Sequence, residues 1–262
     1  MTYLDRILVA HRAAADNDHR PIEQLLEAAR ACPSPRPFRA ALAADSDGGA
    51  LAVIAEIKRR SPSKGDLATG LDPADLARAY ERGGAAGLSV LTDTEFFGGS
   101  PADLAAARDR VALPVLRKDF TVSARDVADA RCMGADAVLL IAAALDTHEL
   151  TDLHALAVEL GLDVLVEVHD EAELERALGV SATLVGVNQR DLVTFEVDTE
   201  RAVRLAGLLP DGVVRVAESG IAGPEDGARL ASAGYHAVLV GESLVRSADP
   251  AGAVRLLRNA RQ

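Results

Sequence analysis

Short apolar runs recur along the chain at residues 51–57, 87–91, 113–116, 137–141, 163–168, 183–187, 213–217 and 237–240. Between them lie Ala-, Leu- and Arg-rich stretches with apolar positions at helical spacing, including 73–83, 123–133, 147–160, 171–178, 199–208 and 224–233. Several of these stretches end in glycine (Gly83, Gly134, Gly161, Gly234), the residue that most easily takes the left-handed turn closing a helix. Eight strands alternating with helices predict an α/β fold of the (β/α)8 barrel type. The competing doubly wound sheet would carry G-x-G-x-x-G after an early strand, and that motif is missing. Ahead of the first run, 2–14 and 21–31 have helical periodicity, the proline-rich 33–37 stops the second, 38–44 suits one or two further turns, and 45–49 reads as a flexible polar loop. The expected organisation is one barrel domain over 1–262, with a helical N-terminal extension at 1–50 and the barrel at 51–262.

Composition narrows this further. The 262 residues are 49% hydrophobic but only 3% aromatic, with no Trp, so the core must be built from Ala, Val, Leu and Ile, as suits the layered interior of a barrel. A net charge of −12 argues against nucleic acid or an anionic membrane as partner, both of which need a basic face. An anionic ligand would have to be held by local charge. Cys32 and Cys132 are far apart in sequence and form no CxxC, which reads as two reduced, inert thiols in a cytoplasmic protein. The start, with Asp5 and Arg6 inside its apolar pattern, does not resemble a signal peptide.

In such barrels function gathers at the C-terminal ends of the strands. Those ends carry Glu56, Lys58 and Ser61 after the first run, Thr92, Asp93 and Phe97 after the second, and Lys118 and Phe120 after the third. The later ends supply Glu167 and His169, Asn188, Arg190 and Asp191, Glu218, Ser219 and Gly220, then Gly241, Glu242 and Ser243. A solvated rim would tolerate scattered charge but would not need Glu and Lys on inward-pointing positions, where burial is costly. Asp93, His169 and Asp191 read as supporting loop residues. Glu56 and Lys58, two apart on a strand, share a face and form either an ion pair or the start of a site. Of 28 basic residues only Lys58, Lys64 and Lys118 are lysine; an ammonium can give up a proton where a guanidinium cannot. Small residues after the last two strands suit a backbone cradle for phosphate. No histidine pair has metal-ligand spacing, so no metal is expected.

These ends are long, ordered motifs, and they resemble the indole-3-glycerol phosphate synthase family. Ile54-Ala55-Glu56-Ile57-Lys58-Arg59-Arg60-Ser61-Pro62-Ser63-Lys64-Gly65 looks like that family's first-strand signature, and Ser89-Val90-Leu91-Thr92 with Phe97-Gly98-Gly99-Ser100 is similar to its second. Leu116-Arg117-Lys118-Asp119-Phe120, Val166-Glu167-Val168-His169-Asp170-Glu171 and Gly186-Val187-Asn188-Gln189-Arg190-Asp191-Leu192 match the third, fifth and sixth. Ala217-Glu218-Ser219-Gly220-Ile221 and Val240-Gly241-Glu242-Ser243-Leu244 match the last two.

The resemblance implies a decarboxylating, dehydrating ring closure in tryptophan biosynthesis, needing neither cofactor nor metal. The substrate would be 1-(2-carboxyphenylamino)-1-deoxyribulose 5-phosphate. Lys118 would be the general acid, with a pKa lowered toward neutrality by cations or burial. Lys58 would hold the anthranilate carboxylate, and Glu167, with a raised pKa, would serve the loss of water. Glu56 and Glu218 would orient and tune the lysines, Asn188 would bond a reacting hydroxyl or amine, and Arg190 would steady carboxylates. Ser61, at the start of a lid-like loop, would line the pocket with Phe97 and Phe120. Gly220, Gly241 and Glu242, with Ser219 and Ser243 beside them, would bind phosphate. Three rivals share the frame: an FMN oxidoreductase, which would be yellow; a phosphoribosyl isomerase, which wants a thiol or carboxylate pair at strand ends; and a catalytically dead binding barrel. A monomer is expected.

Overall fold

The computed structural model describes residues 2–61 and 64–261. Eight parallel strands close into a barrel in chain order: β1 (Ala52–Ile57), β2 (Gly87–Leu91), β3 (Val115–Lys118), β4 (Ala137–Ile141), β5 (Asp163–Val168), β6 (Leu184–Asn188), β7 (Val214–Glu218) and β8 (Ala237–Val240), the last pairing with the first. The (β/α)8 expectation holds. Both faces of these strands are buried, which is why they read as continuous apolar runs rather than alternating ones. One parity (Val53, Ala55, Ile57, Leu88, Val90) packs against the surrounding helices; the other (Ala52, Ile54, Leu116, Leu165, Leu184, Val216, Leu239) fills the barrel interior.

Three helices precede the barrel: α1 (Tyr3–Asp16), α2 (Ile22–Ala31) and α3 (Phe38–Asp47). The loop expected at 45–49 is mostly the last turn of α3. Asp45 is held there by Arg258 at 2.8 Å, a partner from the far end of the chain that local sequence could not show. Phe38 and Leu42 of α3 are fully buried against the barrel interior, and a Cβ on Gly87 would meet the Phe38 ring. The segment thus plugs the barrel. Leu4 and Ile7 of α1 join the same interior cluster with Phe96 and Phe120, so α1 lies over the other end.

The outer helices are α4 (Pro73–Gly83), α5 (Pro101–Arg110), α6 (Ala124–Cys132), α7 (Thr147–Glu159), α8 (Glu171–Gly179), α9 (Arg201–Ala206), α10 (Pro224–Ser232), α11 (Glu242–Val245) and α12 (Pro250–Arg258). Their starts follow capping chemistry: Asp72 caps α4 ahead of Pro73, Ser123 and Asp126 form a capping box on α6, and Asp146 and Glu149 do so on α7. The third strand runs two residues later than its apolar run suggested, because Arg117 and Lys118 pair with Val90 and Leu91 despite their charge. The helix expected over 199–208 is shorter, Arg201–Ala206. Cys32 and Cys132 are neighbours rather than separate: partial burial, and then the Cys32 thiol beside it, raise the Cys132 thiol above its ordinary pKa. Among the described residues, no helix is long and apolar enough to cross a membrane.

Candidate active site

Alternation places the polar groups. Glu56 continues the inward face of Ala52 and Ile54, Lys118 that of Leu116, Glu167 that of Leu165, and Glu218 that of Val214 and Val216. Each of these four strands, β1, β3, β5 and β7, thus ends its apolar interior on one charged residue, and the barrel supports them in a single layer. Above this layer opens a cavity of 460 Å³. Its lining includes Glu56, Lys58, Ser61, Phe97, Lys118, Phe120, Glu167, Asn188, Arg190, Glu218, Ser219, Gly220, Gly241, Glu242 and Ser243, so every residue given a catalytic or binding role from the sequence reaches one space, while Thr92, His169 and Asp191 stand outside its lining. Pro62 and Ser63 of the first signature lie outside the described residues. Ser61 lies in a two-residue strand, Arg60–Ser61, paired with Gly65–Asp66, and Lys64 is exposed.

Glu56 and Lys58 are hydrogen-bonded to each other. Gly241 makes room for them: a Cβ there would overlap Glu56 Oε1 and come within 3.2 Å of Lys58 Nζ. Gly186 plays the same part for Glu218, whose Oε1 occupies the space a side chain would need. Ser219 and Gly220 turn the chain out of β7 with φ of 68° and 70°. For a serine that conformation is strained, and buried Gln189 restrains it, donating Nε2 to the Ser219 carbonyl at 2.7 Å.

At the centre, Lys118 Nζ lies 3.3 Å from Glu167 Oε2 and 3.8 Å from Glu218 Oε2. Asn188 donates Nδ2 to Glu167 Oε1 at 3.0 Å. The electrostatics differ from the sequence expectation at two points. Burial acts to lower the Lys118 pKa, but the fields of Glu167, Glu218 and Glu56 outweigh it and the net shift is upward. The lysine is ringed by carboxylates rather than by cations. Glu167 was expected to be the raised carboxyl; burial does push it up, but Lys118, His169 and the Asn188 bond bring it below its ordinary value. The raised carboxyl is Glu218, through burial first and then the charge of Glu167. Two acids facing one lysine cannot both ionise freely, and the proton settles on the one with fewer donors. Oε1 of Glu218 is buried with no partner.

Leu192 and Ile221, quoted from the sequence only as motif members without a role, also line the cavity, and Phe195 and Arg246 do so having escaped the sequence reading altogether. Phe195, at φ 61°, stacks edge-on with Tyr3 of α1 at 5.3 Å between centroids. Nothing in local periodicity marks a loop aromatic as a wall; its partner comes from the other end of the chain. Asp93 anchors the aromatic loop by accepting from the Phe96 and Phe97 N–H groups, while His11 of α1 reaches Asp93 at 2.9 Å.

Comparison with known proteins identifies the family. The family model described as indole-3-glycerol phosphate synthase matches residues 4–257. An indole-3-glycerol phosphate synthase of Aromatoleum aromaticum is 49% identical over 256 residues, covering 97% of this chain and 98% of that one. Another, from Nocardioides sp., is 61% identical over 203 residues, 78% of each. Among solved structures, thiamine phosphate pyrophosphorylase from Pyrococcus furiosus superposes with a TM-score of 0.60 at 16% identity, covering 80% of this chain and 95% of that one, and shares the fold. The chain belongs to the indole-3-glycerol phosphate synthase family.

Proposed function

We propose that the protein closes the pyrrole ring of 1-(2-carboxyphenylamino)-1-deoxyribulose 5-phosphate, releasing CO2 and water and forming indole-3-glycerol phosphate. The observation that carries this reading is the half-buried Lys118 held between two buried carboxylates at the floor of a cavity with an aromatic wall. The anthranilate ring lies against Phe97 and Phe120, whose ring centroids are 6.3 Å apart. Its carboxylate meets Lys58. The phosphate rests on the backbone of Gly220, Gly241 and Glu242, flanked by Ser219 and Ser243, where a turn of helix begins with unpaired N–H groups.

As the ring carbon bearing the carboxylate attacks the ketone, negative charge grows on the ketone oxygen. Lys118, kept as ammonium by its carboxylates, gives that oxygen a proton. A lowered pKa is not required of it, since an alkoxide is a stronger base than an amine. Loss of CO2 returns the electron pair of the broken C–C bond to the ring and restores aromaticity. The new hydroxyl then leaves as water: an acid protonates it and a base takes a proton from the adjacent carbon, generating the indole double bond. Neutral Glu218 suits the acid and anionic Glu167 the base. Asn188 holds Glu167 in place while Arg190, whose Nη1 donates to the Phe195 carbonyl at 3.0 Å, steadies the loop over the site. Glu56 orients Lys58. None of these steps calls on a metal or cofactor. We place the enzyme in the cytoplasm, where its substrate's charge retains it, and take it as a monomer acting as one domain.

Incubation with the carboxyphenylamino-deoxyribulose phosphate, followed by indole fluorescence and CO2 release, tests the reading. Indole-3-glycerol phosphate and CO2 in equal amounts are expected. No product, or a yellow preparation with flavin absorbance, would transfer the site to a rival chemistry.

A further inference from the structure

His169 follows β5 two residues after Glu167, so the two side chains leave the strand on the same side. The ring is mostly buried. Its backbone N–H and its Nδ1 both meet Oε2 of Glu173 in α8, at 2.8 and 3.0 Å. The other edge, Nε2, is buried without a hydrogen-bond partner and lies 3.7 Å from Glu167 Oε1. With Nδ1–H committed to Glu173, Nε2 bears either a lone pair or a proton. A lone pair facing a carboxylate is repulsive, and a buried unpaired nitrogen is costly. A proton turns the same contact into an ion pair. The groups that face the ring are Glu167 from its own strand, Glu173 from α8 and, opposing, Arg201 of α9; Lys118 stands on the far side of Glu167. Burial disfavours the charged ring, but the two glutamates outweigh burial and Arg201 together, and the imidazole pKa is raised.

We propose that His169 is a positioning residue for the ring closure: braced by Glu173, its imidazolium holds Glu167 as the anion and so leaves the proton of the acidic pair on Glu218. The inference rests on the roles proposed above for Glu167 and Glu218. It gives the two carboxyls, which share a lysine and a burial depth, a physical reason to differ. Glu167 accepts from Asn188 and faces His169, whereas Glu218 has an oxygen with no donor at all.

Two measurements test it. In the wild-type protein, ¹⁵N NMR of the imidazole should show both nitrogens protonated near neutral pH, and Glu167→Gln should lower the pH at which the ring titrates. In kinetics, His169→Gln should move the acid limb of the kcat profile upward by about one pH unit, an approximately tenfold loss at its foot. The rate should recover at higher pH, with KM changed less than about twofold. Glu173→Gln should move the limb the same way by less, and it keeps the imidazole in place if His169→Gln folds poorly. A singly protonated ring whose titration ignores Glu167→Gln overturns the proposal, as does a kcat lowered equally at all pH. If the wild type fails to convert the substrate, the functional reading falls, while the NMR titration still decides the ion pair.

Discussion

Lys118 is one of three lysines in a chain that otherwise uses arginine, and it stands where Glu167, Glu218 and Glu56 converge. Scarcity and strand-end position made it legible from the sequence. The direction of its pKa was not, because that depends on carboxylates contributed by three other strands. The same holds for the acidic pair, whose inequality comes from Asn188, His169 and the bare edge of Glu218. This inequality has consequences for stability. The Glu167 pKa is lowered by folding, so its contribution is present above its unfolded pKa and disappears as pH falls through the folded value. Glu167→Gln should therefore lower the Tm at pH 7 by several degrees, about 1–2 kcal/mol once Glu218 ionises in its place, and the difference should shrink in acid. Glu218 has the opposite sign. Its raised pKa makes the charged form a burden as pH rises, so Glu218→Gln should leave the Tm at pH 7 unchanged or higher while turnover falls. Paired thermal melts at pH 5 and pH 7 check both.

At the scale of elements, α1 acts as a strap across the open end of the barrel. Tyr3 touches Phe96 and Phe195, His11 bonds Asp93, and Arg12 forms a bidentate pair with Glu149 at 2.6 and 2.9 Å. The helix itself was readable from its period; what it docks on was not, since every partner is remote in sequence, on loops or, for Glu149, on the first turn of α7. Burial lowers the His11 pKa, but the Asp93 bond and the charges of Asp119, Asp93 and Asp126 carry it upward overall. A raised histidine contributes stability that is complete below its unfolded pKa, about 6.5, and is lost as pH climbs through the folded value. Amide exchange over α1 should accelerate across that interval in the wild type and show no such step in His11→Gln. Gly241 is the second element-scale constraint. Because a Cβ there collides with Glu56, Gly241→Ala should cost about tenfold or more in kcat/KM while circular dichroism stays unchanged.

Across the whole molecule the two ends of the barrel do different work. α3 seals one with Phe38 and Leu42; the charged layer and α1 finish the other. Apolar runs, terminal glycines and polar strand ends were enough to predict eight strands, because a parallel barrel buries both faces of each strand and gathers most of its polar residues where strands stop. The plug was not anticipated as such: residues 38–44 look like any amphipathic turn until the barrel they fill is known. Phe38→Ala should remove about 3–5 kcal/mol of stability and roughly 10 °C of Tm, yet leave kcat at 25 °C within about twofold, since the lost ring lies away from the reacting groups.

The most direct test of the chemistry is a single-turnover measurement on Lys118→Arg with the carboxyphenylamino-deoxyribulose phosphate. Arginine keeps the charge among Glu167, Glu218 and Glu56 but does not part with a proton. Proton donation by Lys118 predicts substrate binding within a few-fold of wild type and indole-3-glycerol phosphate formation slowed by about 10²–10⁴. Formation of that product at a near wild-type rate would contradict it.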